Sequence, residues 1–193
     1  MADRMMNRGK FNKTFSDFII HLFLPDNIMA YLVSLRKMSY YKTRKGILGK
    51  IKYAYYYRRN AILGEKLGFS IGMHSLGYGV VIPHHGTIVI GGAPRIGNYA
   101  VLHTSTCISN NNKVIGDGLY LSTGVKITSD ISLGNNISIG ANSLVNKSYI
   151  SDNAMIAGMP AHFIKEHEAW YLSDDKYKWR HQQVEELKKK TRL

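Results

Sequence analysis

The chain has 193 residues, a net charge of +13 and a pI near 9.8. That length allows one sizeable core with a small appended unit, and the charge favours anionic partners: a phosphorylated cofactor, an acidic polymer, nucleic acid or a membrane surface. A single cysteine, Cys107, excludes an internal disulfide framework and suits a reducing compartment.

Residues Met1 to Lys13 are polar and basic and are expected to fray. Thr14 or Ser16 can cap a short helix carrying Phe15, Phe18, Ile19 and Leu22. The apolar run from Phe18 to Leu24 is broken by His21 and closed by Pro25, so it is too short to span a bilayer. No small-residue cleavage site follows it, and no signal peptide is assigned. Pro25-Asp26 opens a second helix with Ile28, Tyr31, Leu32 and Leu35 on one face. After Gly46 a third helix is predicted from Ile47 to Leu63. Ile47, Ile51, Tyr55 and Ile62 share one side of it, with Lys50, Lys52, Arg58 and Arg59 on the rest. The plainer reading is a cap whose apolar side packs on the domain that follows. A sharper one is a face for a membrane surface or a polyanion, since Tyr with Lys and Arg suits both. Gly64 and Gly68 are expected to end this helical region, residues 1–68.

The repeat begins near Ile71 and then takes a step of six. Leu76, Ile82 and Ile88 keep it, then Ile96, Leu102 and Ile108, then Ile115, Leu121, Ile127, Leu133, Ile139 and Val145. Gly, Asn and Asp fill the intervals, because they tolerate left-handed backbone at low cost. A fixed six-residue period means one inward side chain per short strand, three strands per coil and about eighteen residues per coil. An all-β sandwich would instead show turn signals every eight to twelve residues. The pattern predicts a mainly-β parallel β-helix over residues 69–165. A two-residue slip is expected at Gly91-Gly92-Ala93-Pro94 and a one-residue slip at Asn110-Asn111-Asn112, and such slips mark loops that leave the coil. After Val145 the repeat dissolves, and Pro160 is expected to end strand pairing. Residues 166–193 form a C-terminal helical tail, packing by Trp170, Tyr171, Tyr177 and Trp179 and solvating its charges.

No cysteine pair at metal-ligand spacing, phosphate loop or Gly-x-Ser-x-Gly elbow is present, so no metal site is assigned. His84 and His103 fall on the same face one coil apart, subject to how the Gly91 slip folds. Two imidazoles beside a loop suit general base work, because histidine titrates near neutral pH. The plainer reading is a pair of surface histidines stacked coil on coil. Cys107 as an acyl-carrying nucleophile has no base in sequence reach, and a small buried hydrophobe is the simpler role for it.

Pro83-His84-His85-Gly86-Thr87-Ile88-Val89-Ile90 resembles the segment around the catalytic histidine of the serine O-acetyltransferase family, within the hexapeptide-repeat acyltransferases. It is closer to the serine-acetyltransferase-like enzymes of capsule and surface-polysaccharide loci. The closing Ala157-Gly158-Met159-Pro160-Ala161 is similar to the family's Ala-Gly-x-Pro-Ala. The likeness covers roughly residues 68–165 and implies a left-handed coil. Two features depart from the serine-specific members. The position of their orienting aspartate falls near Ser70, and the loop that carries their second histidine is reduced here to Asn110-Asn111-Asn112-Lys113.

The resemblance implies an enzyme, an acetyl-CoA-dependent O-acetyltransferase. The departures turn the expected acceptor from serine, kept as the alternative, to a sugar hydroxyl of a surface or capsular polysaccharide or its precursor. A non-catalytic β-helix scaffold is a further alternative. The family's histidine falls on His84 as general base, with His103 orienting it or the acceptor. Ser122, Thr123 and Gly124 match the family's step beside the pantetheine arm, and Ala141 repeats that place one coil on. Lys147 and Lys165 could meet CoA phosphates or be merely solvated. The resemblance also implies a homotrimer with sites between subunits. A cytoplasmic chain is expected, with contact at the inner face of the membrane through the basic N-terminal helices, and no nucleic-acid partner.

Overall fold

The six-residue step builds a three-sided parallel β-helix. The computed structural model describes residues 1–12 and 14–191. Helices α1 (Ala2–Arg8), α2 (Phe15–Phe23), α3 (Asn27–Lys42) and α4 (Ile47–Leu67) come first. The strands are β1 (Phe69–Ile71), β2 (Ile88–Ile90), β3 (Arg95–Ile96), β4 (Val101–Leu102), β5 (Thr106–Ile108), β6 (Lys113–Ile115), β7 (Tyr120–Leu121), β8 (Lys126–Ile127), β9 (Ile131–Leu133), β10 (Ile137–Ile139), β11 (Leu144–Val145), β12 (Ala154–Gly158) and β13 (Ala161–Glu166). Helix α5 (Asp175–Thr191) closes the chain. One face stacks β1, β2, β5, β8 and β11, a second β3, β6 and β9, and the third β4, β7, β10, β12 and β13.

Ile115, Leu121, Ile127, Leu133, Ile139 and Val145 all enter one buried column. At the corners, backbone that cannot stay extended takes left-handed φ at fixed places. Ser105, Gly124 and Asn142 do so at the corner between the third and first faces. Gly79, Tyr99, Gly118, Asn136 and Asn153 do so at the corner between the second and third. Side chains satisfy the amides exposed at this second corner. Asn98 N–H donates to Asp117 Oδ1 at 2.8 Å, Asp117 N–H to Asn135 Oδ1 at 2.9 Å, and Asn135 N–H to Asp152 Oδ1 at 2.6 Å. Each coil thereby ties the next.

The two-residue slip is not at Gly91 to Pro94. Ile90 and Ile96 align with Ile108 and Ile115 one coil on. Val81 aligns with Val101, and Ile88 with Thr106, so seven steps in the upper coil face five in the lower. The two extra residues therefore lie in Pro83-His84-His85. Ile88 and Ile90 both point inward, so counting the period through Ile88 displaces the slip. The one-residue slip at Asn110 to Asn112 is where the spacing places it. Buried Lys113 closes that loop, its amine donating to Ser109 O at 3.0 Å and to Ser109 Oγ at 2.9 Å. The coil also outlasts Val145: Tyr149 bridges to Leu133, and Ala154 to Ile156 pair with β10. Pro160 does not end pairing but turns the chain into the antiparallel β12–β13 hairpin.

The helices differ more from expectation. Residues 2–8 are not frayed. Met5 and Met6 are 1% and 0% exposed, Asn7 Nδ2 donates to Val80 O at 2.7 Å, and Asp3 accepts from Val80 N at 3.0 Å. Lys13 and the side chain of Phe18 lie outside the described residues. Thr14 caps α2 in a capping box with Asp17. Helix α3 buries Tyr31, Leu32 and Leu35, with Ile28 packed beside them. Helix α4 runs on past Leu63 and through Gly64 to the left-handed cap at Gly68. It buries Gly49, Asn60, Gly64 and Leu67, while Ile47, Ile51, Tyr55 and Ile62 face outward. Gly64 is required there, since a Cβ would meet Phe69 O at 2.6 Å. Trp170 and Val184 pack with Met5, Met6, Val81 and Val101 on the outside of the third face, whereas Trp179 stays exposed. Arg192 and Leu193 lie outside the described residues.

Leu121 is fully buried at the centre of the column, and Val114 points outward one coil edge away. Leu121→Ala should lower stability by about 3 kcal/mol, and Val114→Ala by less than about 0.5 kcal/mol, in denaturant unfolding. Equal losses would refute the assigned register.

Candidate active site

The corner between the third and first faces collects most of the singled-out residues. His84 stands exposed on the two-residue bulge. His103 lies beneath it, with the two ring centroids 6.5 Å apart and tilted by 46°. Backbone bonds carry the column downward. His103 N–H donates to Leu121 O at 3.1 Å, Ser122 N–H to Ile139 O at 3.2 Å, and Gly140 N–H to Ile156 O at 2.9 Å. Ser122, Thr123, Gly124 and Ala141 therefore form successive layers of the corner beneath His103. A Cβ at Gly124 would run into the Asn142 side-chain oxygen, so glycine is required where φ is also positive.

His103 is half-buried, and its Nε2 lies 2.9 Å from Tyr120 OH. Burial first, then the neighbouring His84, hold the His103 imidazole below the ordinary histidine range. Burial also pushes the Tyr120 phenol up, so the phenol stays protonated and its O–H can donate to a neutral Nε2. Tyr120 packs in turn near Trp170, whose Nε1–H donates to Tyr99 O at 2.8 Å. The C-terminal segment thus buttresses His103 from outside. Among the described residues no hydrogen bond joins His84 to His103. Ring centroids 6.5 Å apart are close enough for one hydroxyl oxygen to bridge the pair when each ring turns a nitrogen toward it. The corner can therefore hold an acceptor hydroxyl against two imidazoles, one exposed and one kept neutral.

His85 points to a different place, a cleft of about 340 Å³ lined by Arg8, Asp26, Asn27 and Leu67. Cys107 is not a buried hydrophobe: it is half-exposed, in the outward position of β5, between Val89 and Lys126. Lys147 and Lys165 stand off the corner column. Lys147 follows β11 at the far end of the first face, and Lys165 pairs with Met155, away from the Gly158 end of β12. Two residues escaped the sequence reading. Tyr120 looks like an ordinary outward strand residue until the coils are stacked. Lys126 donates from Nζ to Gly124 O at 3.3 Å and also to Ser105 O. Its place as the outward residue of the strand leaving the Ser122 to Gly124 corner was the available signal.

No family model matches the chain, and no curated protein matches it. Solved structures do. A serine O-acetyltransferase from Brucella melitensis, described as a bacterial transferase hexapeptide repeat protein, matches with a TM-score of 0.66 and 20% identity over 86% of this chain and 68% of that one. The soybean serine acetyltransferase apoenzyme matches with a TM-score of 0.63 and 19% identity over 84% and 66%. A serine acetyltransferase in complex with CoA matches at 0.58 and 20% over 72% and 57%. These likenesses establish the fold, a hexapeptide-repeat β-helix.

Removing the His84 ring removes a repulsion, so His103 should titrate higher in His84→Ala than in the wild type, as read by NMR of its ring protons. Because the folded-state pKa of His103 is depressed, its neutral form stabilises the fold above the unfolded value of about 6.5. That stabilisation is lost as pH falls below that value. A His103 midpoint unmoved by His84→Ala would disprove the electrostatic contact.

Proposed function

We propose that the chain is an acetyl-CoA-dependent O-acetyltransferase with His84 as general base. The observation that carries this is the corner column, with His84 and His103 at its head and Ser122, Thr123, Gly124 and Ala141 below, in the fold that serine acetyltransferases share. His84 takes the proton from an acceptor hydroxyl, and the hydroxyl oxygen attacks the thioester carbonyl of acetyl-CoA. The C–S bond then breaks, and the thiolate recovers the proton from His84 to leave as CoA. Neutral His103, held by Tyr120, positions the acceptor hydroxyl. The oxyanion is stabilised by backbone N–H groups near the corner. The Gly86, Gly124 and Asn142 amides are already bonded to Leu67, Thr104 and Thr123 carbonyls, so they are not the donors. The pantetheine arm runs down the corner past Gly124 and Ala141, and Lys126 is the cation at that corner for the CoA phosphates, with Lys147 and Lys165 standing off it.

Serine is the leading acceptor, because the solved neighbours are serine acetyltransferases, one of them a complex with cysteine. This reverses the preference drawn from sequence for a polysaccharide hydroxyl. One observation keeps the saccharide as the second reading: among the described residues no carboxylate bonds His84, and Ser70 stands where the orienting aspartate would be. A homotrimer in the cytoplasm fits the exposed outward Val89 and Val114 on flat faces and the single free cysteine.

CoA release from acetyl-CoA should be followed with serine and with a panel of sugars and capsular oligosaccharides. Release with serine, reduced by about 10²- to 10⁴-fold in His84→Ala with the fold retained, is the expected result. Release with a saccharide alone would move the acceptor to the second reading. Unchanged turnover in His84→Ala would overturn the general-base assignment, and acetyl-CoA binding without turnover on any acceptor would favour a scaffold.

A further inference from the structure

Helix α4 is packed with its apolar arc turned outward. At 100° per residue, Ile47, Ile51, Ile62, Tyr55 and Leu48 fall within one arc of about 100°. All five are between 49% and 75% exposed. The opposite side, which packs on α3 and the first coil, carries Asn60, Gly64 and Leu67, with Tyr53, Tyr56 and Leu63 half-buried, while Gly49 is covered by Arg44. The helix thus packs one side inward and leaves a second apolar arc, that of Ile47, Leu48, Ile51, Tyr55 and Ile62, largely exposed. Helix α2 does the same with Phe15, Leu22 and Phe23, which are 72% to 79% exposed.

The charge around this arc decides what that is. Between Lys42 and Lys66 the chain has eight lysines and arginines and one carboxylate, Glu65. Among the described residues none of the eight is in an ion pair. Several lie against tyrosine instead. Arg44 sits 4.4 Å from the Tyr40 ring centroid, Lys52 5.4 Å from that of Tyr41, and Arg59 donates to Tyr55 OH at 3.2 Å. Another protein would have to bring many carboxylates to this surface, and a second copy would bring the same positive charge. An anionic bilayer supplies both the negative field and the apolar layer. Isoleucine and leucine enter at the headgroup boundary, tyrosine lies at that level, and lysine and arginine stems snorkel to the phosphates. No helix among the described residues is long and apolar enough to cross a membrane, so the contact is with one leaflet.

We infer that the outward arc of α4, with its surrounding cations and the exposed side chains of α2, is a docking surface for an anionic lipid bilayer. The full chain is sedimented with phosphatidylcholine vesicles, with and without phosphatidylglycerol, at low and high salt. Two variants accompany it: Ile47→Glu with Ile51→Glu, and Arg44→Gln, Lys45→Gln, Lys50→Gln and Lys52→Gln together. All six positions are exposed, and circular dichroism melting checks that each variant keeps the fold. The wild type should bind only vesicles containing phosphatidylglycerol, and less at high salt. Each cation near the surface changes the partition by about fivefold, and two glutamates set two repelled charges in place of two apolar contacts, so both variants should bind at least tenfold more weakly. Equal binding by wild type and variants, or no binding by the wild type, overturns the inference. Self-association of the wild type that Ile47→Glu with Ile51→Glu abolishes, without lipid binding, assigns the arc to a second copy instead. The readout is lipid partition, so it stands whether or not the chain turns over acetyl-CoA.

Discussion

The molecule depends on the ladder of backbone bonds between coils. Up to β11 each strand is only two or three residues wide and gains nothing from its neighbours along the chain. Its amides and carbonyls must find partners one coil above and below, or remain unsatisfied. The three faces therefore tolerate no surplus residue, and an insertion can leave the stack only at a corner. Between Val81 and Ile88 the chain is two residues longer than the coil beneath, and it expels them as the bulge that bears His84. The ladder that forbids irregularity on the faces thereby concentrates it at the candidate site.

The same ladder explains what could and could not be read from the residues in order. A six-residue period is written directly in the positions of Ile115 to Val145, because one side chain per strand must fill the column. The position of the slip is not, since Ile88 and Ile90 both point inward and either continues the period. Only their pairing with Thr106 and Ile108 separates them. Periodicity likewise shows that Ile47, Ile51, Tyr55 and Ile62 share a side of α4, but not which way that side faces. Gly64, where a Cβ would meet Phe69 O, and Asn60, whose side-chain amide donates to Tyr31 O at 3.3 Å, settle the direction. Residues 2–8 read as loose because polar side chains anchor them on either side of the buried Met5 and Met6. Asp3 and Asn7 are held by Val80, Ile82 and Arg36, and no apolar pattern announces such bonds.

At the candidate site, His84 and His103 were legible as a pair because a coil has a nearly constant length. Tyr120 was not, because its link to His103 runs diagonally from a face to a corner. That phenol matters chemically. A half-buried imidazole beside a second imidazole resists protonation, and the phenol, itself kept protonated by burial, can donate its O–H to the neutral ring. The two histidines are thereby made unequal, one exposed on the bulge, the other half-buried and held by Tyr120.

The distribution of charge connects this corner to the rest of the surface. Outside the α3–α4 hairpin several carboxylates already have partners: Asp3 with Arg36, Asp17 with Lys10, Asp26 with Arg8, and Glu185 with Tyr78, Tyr99 and Lys188. The positive excess is therefore left largely on the α3–α4 hairpin. Helix α4 begins at that basic end and finishes against the site, where Leu67 O accepts from Gly86 N at 2.9 Å. Its 21 residues span about 30 Å. Any surface that engages Ile47 and Ile51 would thus hold the His84 corner within about that distance, at the other end of one rigid helix. The packing of Gly64 against Phe69, tight enough to exclude a methyl group, makes that helix and the first coil a single body.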